Sequence, residues 1–253
     1  MNAIEADIEA AASALIQARQ SRRQFSSGAL RGPQSDGDAY AIQDRVRSAI
    51  DPGPVAAWKV GTTARGNEPS AAPIFRSRVF ATPASVVASS FHMLAAEAEI
   101  AFRFARDLEP GCNEEDVARA IDSAIVAIEL CDTRLQDFKG ATAWWKLADN
   151  QSNYGLVLGS GRGDWQSIDF TTQPAEFRVN GRLKNSAVGV HPLGSPFGLL
   201  PWLAAQVEKR GERLRAGNVV TTGAWTGLEL VQPGDLVVAR FPGIGEAQVT
   251  LAL

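Results

Sequence analysis

The chain has 253 residues, of which 45% are hydrophobic and 21% charged, and its formal net charge is −3 at pH 7. This composition is typical of a globular protein with enough apolar residues for a sizeable core. A slightly acidic chain with scattered Lys and Arg does not favour nucleic acid or an anionic membrane as the main partner. No apolar run approaches the roughly 20 residues that span a bilayer, and the acidic N-terminal segment does not resemble a signal peptide. We therefore expect a cytoplasmic protein.

The N-terminal part of the chain is predicted to be mainly helical. Apolar residues recur with a helical period over residues 2–20, and a second helix is predicted over Ala39–Ile50. The segment AAWKVGTT indicates a strand that enters a turn at Gly61. Residues 64–78 are rich in Pro, small and polar residues, so they are predicted to be a loop that could act as a lid.

From Val79 onward the pattern changes to strands and turns. The run Ala95–Leu108 alternates like a strand, and Asn113 is predicted to cap a helix that leads into a second strand, AIVAIELC. Asn180–Gly181 predicts a hairpin, a helix is predicted over residues 195–211, and three more strands follow. Helices first and then a mixed, mainly antiparallel β structure indicate an α+β fold. Cys112 and Cys131 lack CxxC spacing and are predicted to be reduced and structural.

Three carboxylates are the most informative feature of the sequence. Glu97 and Glu99 are two residues apart on the first strand, so their side chains point to the same face. Glu129 lies in the second strand between Ile128 and Leu130, where an unpaired carboxylate would be costly. Three carboxylates interpreted as having no His or Cys ligand nearby are the ligand set of a hard cation, so we predict a Mg²⁺ or Mn²⁺ site rather than a Zn²⁺ site.

Other polar residues are ambiguous when they are taken alone. Lys59 could rest its stem on Trp58 with its ammonium in solvent, or hold its ammonium over the metal site to receive an anionic substrate. Asp149 could form a turn or contact the site. His92 and His191 are the only histidines, and we expect His92 to be structural, whereas His191 could approach a pocket. The sequence contains neither a phosphate-binding GxxxxGK[ST] motif nor a GxSxG motif.

Together these motifs resemble those of the 2-keto-4-pentenoate hydratases. The matching segments, in chain order, are WKVG at 58–61, EAE at 97–99, AIELCDTR at 127–134, ADNQSNYG at 148–155, HPLGSPFGLLPWLA at 191–204, AGNVVTTG at 216–223 and PGD at 233–235. These enzymes and the 4-oxalocrotonate decarboxylases belong to the fumarylacetoacetate hydrolase superfamily. The resemblance covers roughly residues 40–253. It implies a distorted mixed β-roll with flanking helices and a small N-terminal helical region, usually as a homo-oligomer.

The resemblance also implies roles for individual residues. Glu97, Glu99 and Glu129 would hold Mg²⁺ or Mn²⁺, and Lys59 would be the catalytic lysine that faces a small 2-oxo acid. The metal would stabilise an enolate of that substrate. Gly61, Asp149 and Ser152 lie in the matching segments and are expected to contact the substrate, and Arg65 or Arg76 could bind a second substrate carboxylate. Residues 1–75 would form the helical region with the lysine strand and substrate loop, and residues 76–253 the catalytic domain.

The chain departs from the family pattern in the loop that follows the lysine strand. Many hydratases of this family carry an Asp there, whereas this chain has Ile74 and Phe75. Glu68 is the only carboxylate in this loop and is the candidate substitute base. We predict a hydratase or decarboxylase of a 2-oxo or 2-hydroxydienoic acid. An acylpyruvate-type C–C hydrolase and a non-catalytic oligomeric binding protein that retains the fold are the alternatives.

Overall fold

The computed structural model describes residues 3–253, and its N-terminal part is helical. The helices α1 (Ala3–Ser21) and α2 (Asp36–Ile50) agree with the predicted ones, and α2 begins before Ala39 because Ser35 caps it. The Ser35 hydroxyl accepts a hydrogen bond of 3.1 Å from the Asp38 amide, which satisfies one free donor of the first turn. Both helices contribute buried apolar residues to one cluster with α4 (Ala143–Ala148). None of the helices within residues 3–253 has the length and hydropathy that a membrane crossing requires.

Two mixed β-sheets form the rest of the fold. The larger sheet has the order β2-β1-β10-β5-β6-β7-β3, with the short β11 paired to β5. Its strands are β1 (Ala57–Gly61), β2 (Ser70–Ile74), β3 (Val79–Ala81), β5 (Ala95–Phe104), β6 (Ile121–Cys131), β7 (Asn153–Arg162), β10 (Val219–Ala224) and β11 (Glu229–Leu230). The smaller sheet has the order β4-β13-β12-β8-β9. Its strands are β4 (Ala84–Val87), β8 (Pro174–Val179), β9 (Arg182–Val188), β12 (Leu236–Phe241) and β13 (Gly245–Ala252).

The two faces of the larger sheet have different environments. Side chains such as Phe102 on β5 and Ile128 on β6 pack with Phe177 and Phe241 of the smaller sheet in the main core. The helices α3 (Glu114–Ala120) and α5 (Leu200–Lys209) contribute Val117 and Leu203 among other residues to this core. The opposite face of the larger sheet, which we call the inner face, carries a smaller apolar cluster. Its buried members are Ala57, Ile74, Ala101, Ile125, Ala127, Leu156 and Val219.

Several local predictions are confirmed. Asn113 caps α3 in a reciprocal capping box with Asp116, in which each side chain accepts a hydrogen bond from the other residue's backbone. Asn180 and Gly181 form the turn between β8 and β9 with positive φ angles of 51° and 78°. Asn and Gly are the residues that tolerate this left-handed backbone.

Two boundaries were predicted wrongly. Residues 64–78 are not a continuous loop, because Ser70–Ile74 pairs antiparallel with β1 as an edge strand. The edge position tolerates Pro73, which hid the strand from sequence reasoning. The strand β5 ends at Phe104 rather than near Leu108, because its partner β6 begins opposite that residue.

Candidate metal centre

The inner face of the larger sheet becomes polar at one end. Alternate residues of a strand share a face, so the positions that follow or precede the inner apolar residues by two or four also point inward. These positions carry Lys59 on β1, Glu97 and Glu99 on β5, Glu129 and Cys131 on β6, and Thr221 on β10. The register places Glu97 directly opposite Glu129. Local alternation and strand pairing together therefore gather the predicted carboxylates.

Glu97, Glu129 and Cys131 form a compact group of potential ligands. One carboxylate oxygen of each glutamate and the Cys131 sulfur all lie within 4.8 Å of one another. Glu129 and Cys131 are buried, whereas Glu97 is half-buried. Because the three side chains come from two hydrogen-bonded strands, their spacing is fixed by the sheet.

Glu99 lies deeper and is held by the neighbouring strand. Its Oε2 atom accepts hydrogen bonds from the Thr221 hydroxyl and, at 2.9 Å, from the Gly223 amide. The second bond depends on an irregularity of β10, whose register shifts between Thr221 and Ala224. Gly223 has a φ of +103° there, which other residues adopt only with strain. Glu99 is not a member of the compact group of Glu97, Glu129 and Cys131.

Lys59 supplies the positive charge of the centre. Its Nζ atom donates to Glu129 Oε1 at 2.7 Å and to the Gln151 carbonyl oxygen at 3.2 Å. Burial lowers the pKa of Lys59, but Glu129 and Glu97 raise it by more, so the net pKa lies above its ordinary value. Lys59 is therefore an ammonium at neutral pH. The alternative in which this ammonium lies in solvent is wrong.

The environment of the carboxylates disfavours their charged forms. Burial, and then the charge of Glu129, raises the pKa of Glu97 to about 7, although Lys59 and Cys131 oppose the shift. Burial followed by Glu129 and Glu97 also raises the pKa of Glu99. In addition, Glu99 Oε1 and Glu129 Oε2 are buried and have no hydrogen-bond partner among the described residues. Such atoms are expensive unless a ligand satisfies them.

A divalent cation fits this environment. When all three carboxylates are ionised, they exceed the one ammonium by two negative charges, and two of their buried oxygens have no hydrogen-bond partner among the described residues. Oxygen-rich sites of this charge suit hard cations such as Mg²⁺. Cys131 adds a sulfur that hard cations do not prefer, and burial followed by Glu97 and Glu129 raises the pKa of its thiol well above the ordinary value. The thiol therefore stays protonated while no metal displaces its proton.

The loop that receives Lys59 has an unusual backbone. Asn150, Gln151 and Ser152 have consecutive positive φ angles of 55°, 51° and 62°. Left-handed backbone costs about 1–2 kcal/mol per residue, so other contacts must hold this loop. The Asn150 amide donates to the Pro73 carbonyl at 2.9 Å, and the Gln151 amide donates to the Ser70 hydroxyl. The loop thus presents the Gln151 carbonyl to Lys59.

Asp149 and Ser152 lie at the ends of this loop. Asp149 is buried and accepts hydrogen bonds from the Arg134 side chain, from the Arg134 amide at 2.9 Å and from the Thr133 hydroxyl at 3.2 Å. Ser152 is also buried, and its carbonyl accepts from the Asp132 amide at 2.8 Å. The described contacts of Asp149 are therefore those of a residue that positions the loop.

Glu68 and Arg65 of the predicted substrate loop lie outside the group of carboxylates. Glu68 is exposed, and its Oε1 accepts a hydrogen bond of 2.9 Å from the Trp202 indole, while Arg65 donates to the Leu193 carbonyl at 3.0 Å. The structure does not bring either residue into the described contacts of the carboxylates. Gly61 ends β1, and a Cβ atom added there would meet nothing within 4 Å. Ile74, which stands where the family Asp was expected, is buried in the inner apolar cluster.

The structure adds residues that sequence reasoning missed. Cys131 is a free thiol, as expected, but it joins the ligand group instead of the apolar core. Its position two residues after Glu129 was an available signal. Asn153 donates to Glu129 Oε1 at 2.8 Å, and it lies in a motif that the resemblance had marked. His191 is buried and bonds the Thr222 carbonyl at 3.2 Å, so it ties the 189–195 loop to β10.

Fold and site together define a class of protein: two mixed sheets with a carboxylate-lined candidate cation site on the inner face of one of them. The fumarylacetoacetate (FAA) hydrolase C-terminal family model matches residues 55–252. The chain belongs to this family, which confirms the resemblance and the α+β fold of this type.

The chain is also similar to individual enzymes. The chain is 29% identical over 259 residues to a 2-keto-4-pentenoate hydratase of Paraburkholderia xenovorans, and the match covers 95% of this chain and 93% of the relative. It is 32% identical over 136 residues to a 4-oxalocrotonate decarboxylase of Pseudomonas putida, covering 54% of this chain and 51% of the relative. A solved 4-oxalocrotonate decarboxylase from Pseudomonas putida G7, complexed with magnesium and adipate, has the same fold, with a TM-score of 0.84, 24% identity and 99% coverage of both chains.

Proposed function

We propose that the protein is a divalent-metal-dependent lyase, a hydratase or decarboxylase, that acts on a small 2-oxo or 2-hydroxydienoic acid. The observation that carries this proposal is the buried carboxylate group beside the Lys59 ammonium, with two carboxylate oxygens that lack a partner. The relatives named as hydratases and decarboxylases support the same reaction class.

We assign the metal to Glu97, Glu99 and Glu129: Glu97 and Glu129 belong to the compact group with Cys131, and Glu99 offers a buried oxygen without a partner. A divalent cation held by these residues would supply Lewis-acid stabilisation of the negative charge that develops on the substrate. Solved relatives complexed with magnesium and with calcium support a divalent ion. We propose Mg²⁺ or Mn²⁺ as the working ion, because the ligand set is dominated by oxygen.

Lys59 acts as a fixed positive charge. Because Glu129 and Glu97 hold its pKa above the ordinary value, Lys59 keeps its proton and stabilises the negative charge that develops on the substrate. The Gln151 carbonyl orients its Nζ atom. Gly61, at the end of the same strand, leaves space in which a substrate could approach the backbone.

Decarboxylation makes fewer demands on this site than hydration does. Hydration requires a group that delivers or activates water, whereas loss of CO₂ requires mainly stabilisation of the enolate. Buried Ile74 stands where the family acid was expected, and Glu68 contacts Trp202 on the rim. These positions favour the decarboxylase branch. Glu68 is retained as the candidate base, and Arg65 as a contact for a distal substrate carboxylate.

The test is a product assay on metal-depleted protein that is resupplied with Mg²⁺ or Mn²⁺. Consumption of each 2-oxo acid is followed by the loss of the ultraviolet absorbance of its dienol form. Release of CO₂ identifies a decarboxylase, a hydrated oxo acid identifies a hydratase, and pyruvate with a carboxylic acid identifies the hydrolase alternative. Glu129→Gln should abolish turnover, while Glu68→Gln tests the proposed base. Ligand-induced stabilisation without turnover with either metal would contradict an enzymatic function.

We also propose a homo-oligomer. Large apolar side chains are exposed near the β9 edge, including Leu183 at 51%, Val188 at 63% and Leu230 at 64% exposure. Asn185 on β9 donates to the Thr226 carbonyl at 2.7 Å, which joins this edge to the segment that carries Leu230. Exposed apolar groups of this kind are typical of subunit contacts. Light scattering of the wild type and of Leu230→Lys tests the assembly, and a monomeric wild type would refute it.

A further inference from the structure

A second cavity, of about 200 Å³, lies apart from the metal centre. It is enclosed by the end of α1, the turn after β2, the loop before β5 and the start of β7. None of its lining residues is Lys59, Cys131 or one of the three metal-site glutamates. We call it the arginine cavity, after four lining residues: Arg19, Arg22, Arg78 and Arg134.

The arginine cavity carries an excess of positive charge. The only carboxylate in its lining is Asp132, which accepts hydrogen bonds from the His92 and Met93 amides at 2.9 and 2.8 Å. Asp149 does not line the cavity, but its carboxylate pairs with Arg134, and its Oδ1 atom lies 3.4 Å from a guanidinium nitrogen of Arg19. Four guanidinium groups therefore face two carboxylates. Within residues 3–253, Arg22 and Arg78 have no described ion pair.

The guanidinium groups are preorganised rather than freely moving. Arg19 lies over the Phe75 ring at 5.2 Å, and Arg78 lies over the Tyr154 ring at 4.3 Å and donates to its hydroxyl. Arg134 is almost fully buried. Burial, and then the charge of Arg134, lowers the pKa of Arg19. Such crowding of cations is costly unless an anion compensates it.

Unpartnered polar atoms also point to a ligand. Arg19 Nε and His92 Nε2 are buried and make no hydrogen bond to any described residue. Both residues line the cavity. A bound acceptor would satisfy Arg19 Nε, since buried donors without partners are rare in folded proteins. His92 Nδ1 donates to Asp132 Oδ2 at 3.1 Å, so His92 Nε2 would be satisfied by a ligand that donates a hydrogen bond or by a second proton on the ring.

We propose that the arginine cavity binds a small aliphatic dicarboxylate. Guanidinium forks match carboxylates in charge and in planar geometry. Two carboxylates would balance the excess of two positive charges. The rings of Phe75 and Tyr154, together with Ile50, provide an apolar wall for the carbon chain between them. Inorganic phosphate has no such chain, and a monocarboxylate leaves one charge uncompensated.

The test is isothermal titration calorimetry on protein depleted of metal by a chelating resin, so that a dicarboxylate cannot bind through a metal ion. The probes are glutarate, succinate, acetate and inorganic phosphate at low salt. The variants are Arg78→Gln and the exposed Arg22→Gln, with Arg182→Gln in the distant β8–β9 hairpin as the matched loss of one charge. We expect glutarate or succinate to bind more tightly than acetate or phosphate.

Arg78→Gln should weaken dicarboxylate binding roughly tenfold or more, because hydrogen bonds to charged groups are strong. Arg22→Gln should weaken it by a smaller factor, and Arg182→Gln should leave it unchanged. Absence of binding, or wild-type binding by both cavity variants, would overturn the site. Phosphate that binds as tightly as glutarate would overturn the assignment to dicarboxylates. If Arg78→Gln does not fold, the surface substitution Arg22→Gln still decides. The result is independent of the proposed lyase activity, since no metal or turnover is involved.

Discussion

Replacing Lys59 by methionine should destabilise the metal-free protein in a pH-dependent manner. The substitution keeps the length of the buried stem but removes the ammonium that bonds Glu129 at 2.7 Å. Glu129 and Glu99 are fully buried, and Glu97 lies beside them. Without the ammonium, the folded protein must take up a proton on one of these carboxylates or bury another uncompensated charge.

The size of the effect follows from the cost of that proton. An unfolded glutamate has a pKa of 4.5, and each pH unit above this value costs about 1.4 kcal/mol when folding requires the neutral form. One proton therefore costs about 5 kcal/mol at pH 8 and about 1.4 kcal/mol at pH 5.5. For a chain of this size, these values correspond to losses of roughly 10–20 °C and 3–6 °C in Tm.

The sign is fixed by the direction of the pKa shifts. Folding raises the pKa of Glu97 to about 7, so its contribution to stability is full below about pH 4.5 and is lost as the pH rises through about 7. The raised pKa of Glu99 gives a loss of the same sign. Lys59→Met should extend that loss to higher pH. Thermal melts of metal-depleted wild type, Lys59→Met and the exposed-site control Lys139→Met at several pH values measure it. A pH-independent loss, or an equal loss in Lys139→Met, would refute the reasoning.

Three further predictions concern the same region. Stabilisation of the wild type by Mg²⁺ or Mn²⁺ should grow with pH as the carboxylates ionise, and Glu129→Gln should abolish this stabilisation. Thermal shifts with and without metal at pH 5.5 and 8 measure the pH dependence and its loss in the variant. Asp149→Asn should cost about 3–5 kcal/mol in unfolding free energy, because it removes the closest carboxylate from buried Arg134 and leaves only Asp132 at 3.9 Å, whereas Asp122→Asn, at an exposed position, should cost little; denaturant titration decides. Cys131→Ser should weaken binding of thiophilic Cd²⁺ and remove its ultraviolet charge-transfer band while Mg²⁺ affinity changes little, and an unchanged band would place the sulfur outside the ligand sphere.

The parts of the site that follow local patterns could be predicted from the sequence. Two-residue spacing placed Glu97 and Glu99 on one face, and the apolar surroundings of Glu129 indicated that this carboxylate is buried. The helix that Asn113 caps and the Asn180–Gly181 turn were likewise encoded by neighbouring residues. These features need no knowledge of the rest of the chain.

The parts that depend on distant strands could not be predicted. Thr221 and Gly223 reach Glu99 only because β10 pairs with β5 across more than 100 residues of sequence. The strand β2 exists because β1 offers it a partner, while its own composition is that of a loop. The contact from Lys59 to the Gln151 carbonyl involves a backbone atom, which no side-chain pattern reveals.

The segment from Asp149 to Asn153 explains why a motif with no metal ligand lies beside the metal centre. Three consecutive left-handed residues would relax if nothing restrained them. Asp149 fixes one end through buried Arg134, and Asn153 fixes the other through Glu129 itself, at 2.8 Å. The strained backbone is therefore clamped between an ion pair and the candidate ligand, and the Gln151 carbonyl is held against the Lys59 ammonium. An ammonium with rigid partners on two sides loses little further freedom when a substrate arrives, which is the preorganisation that an electrostatic catalyst requires.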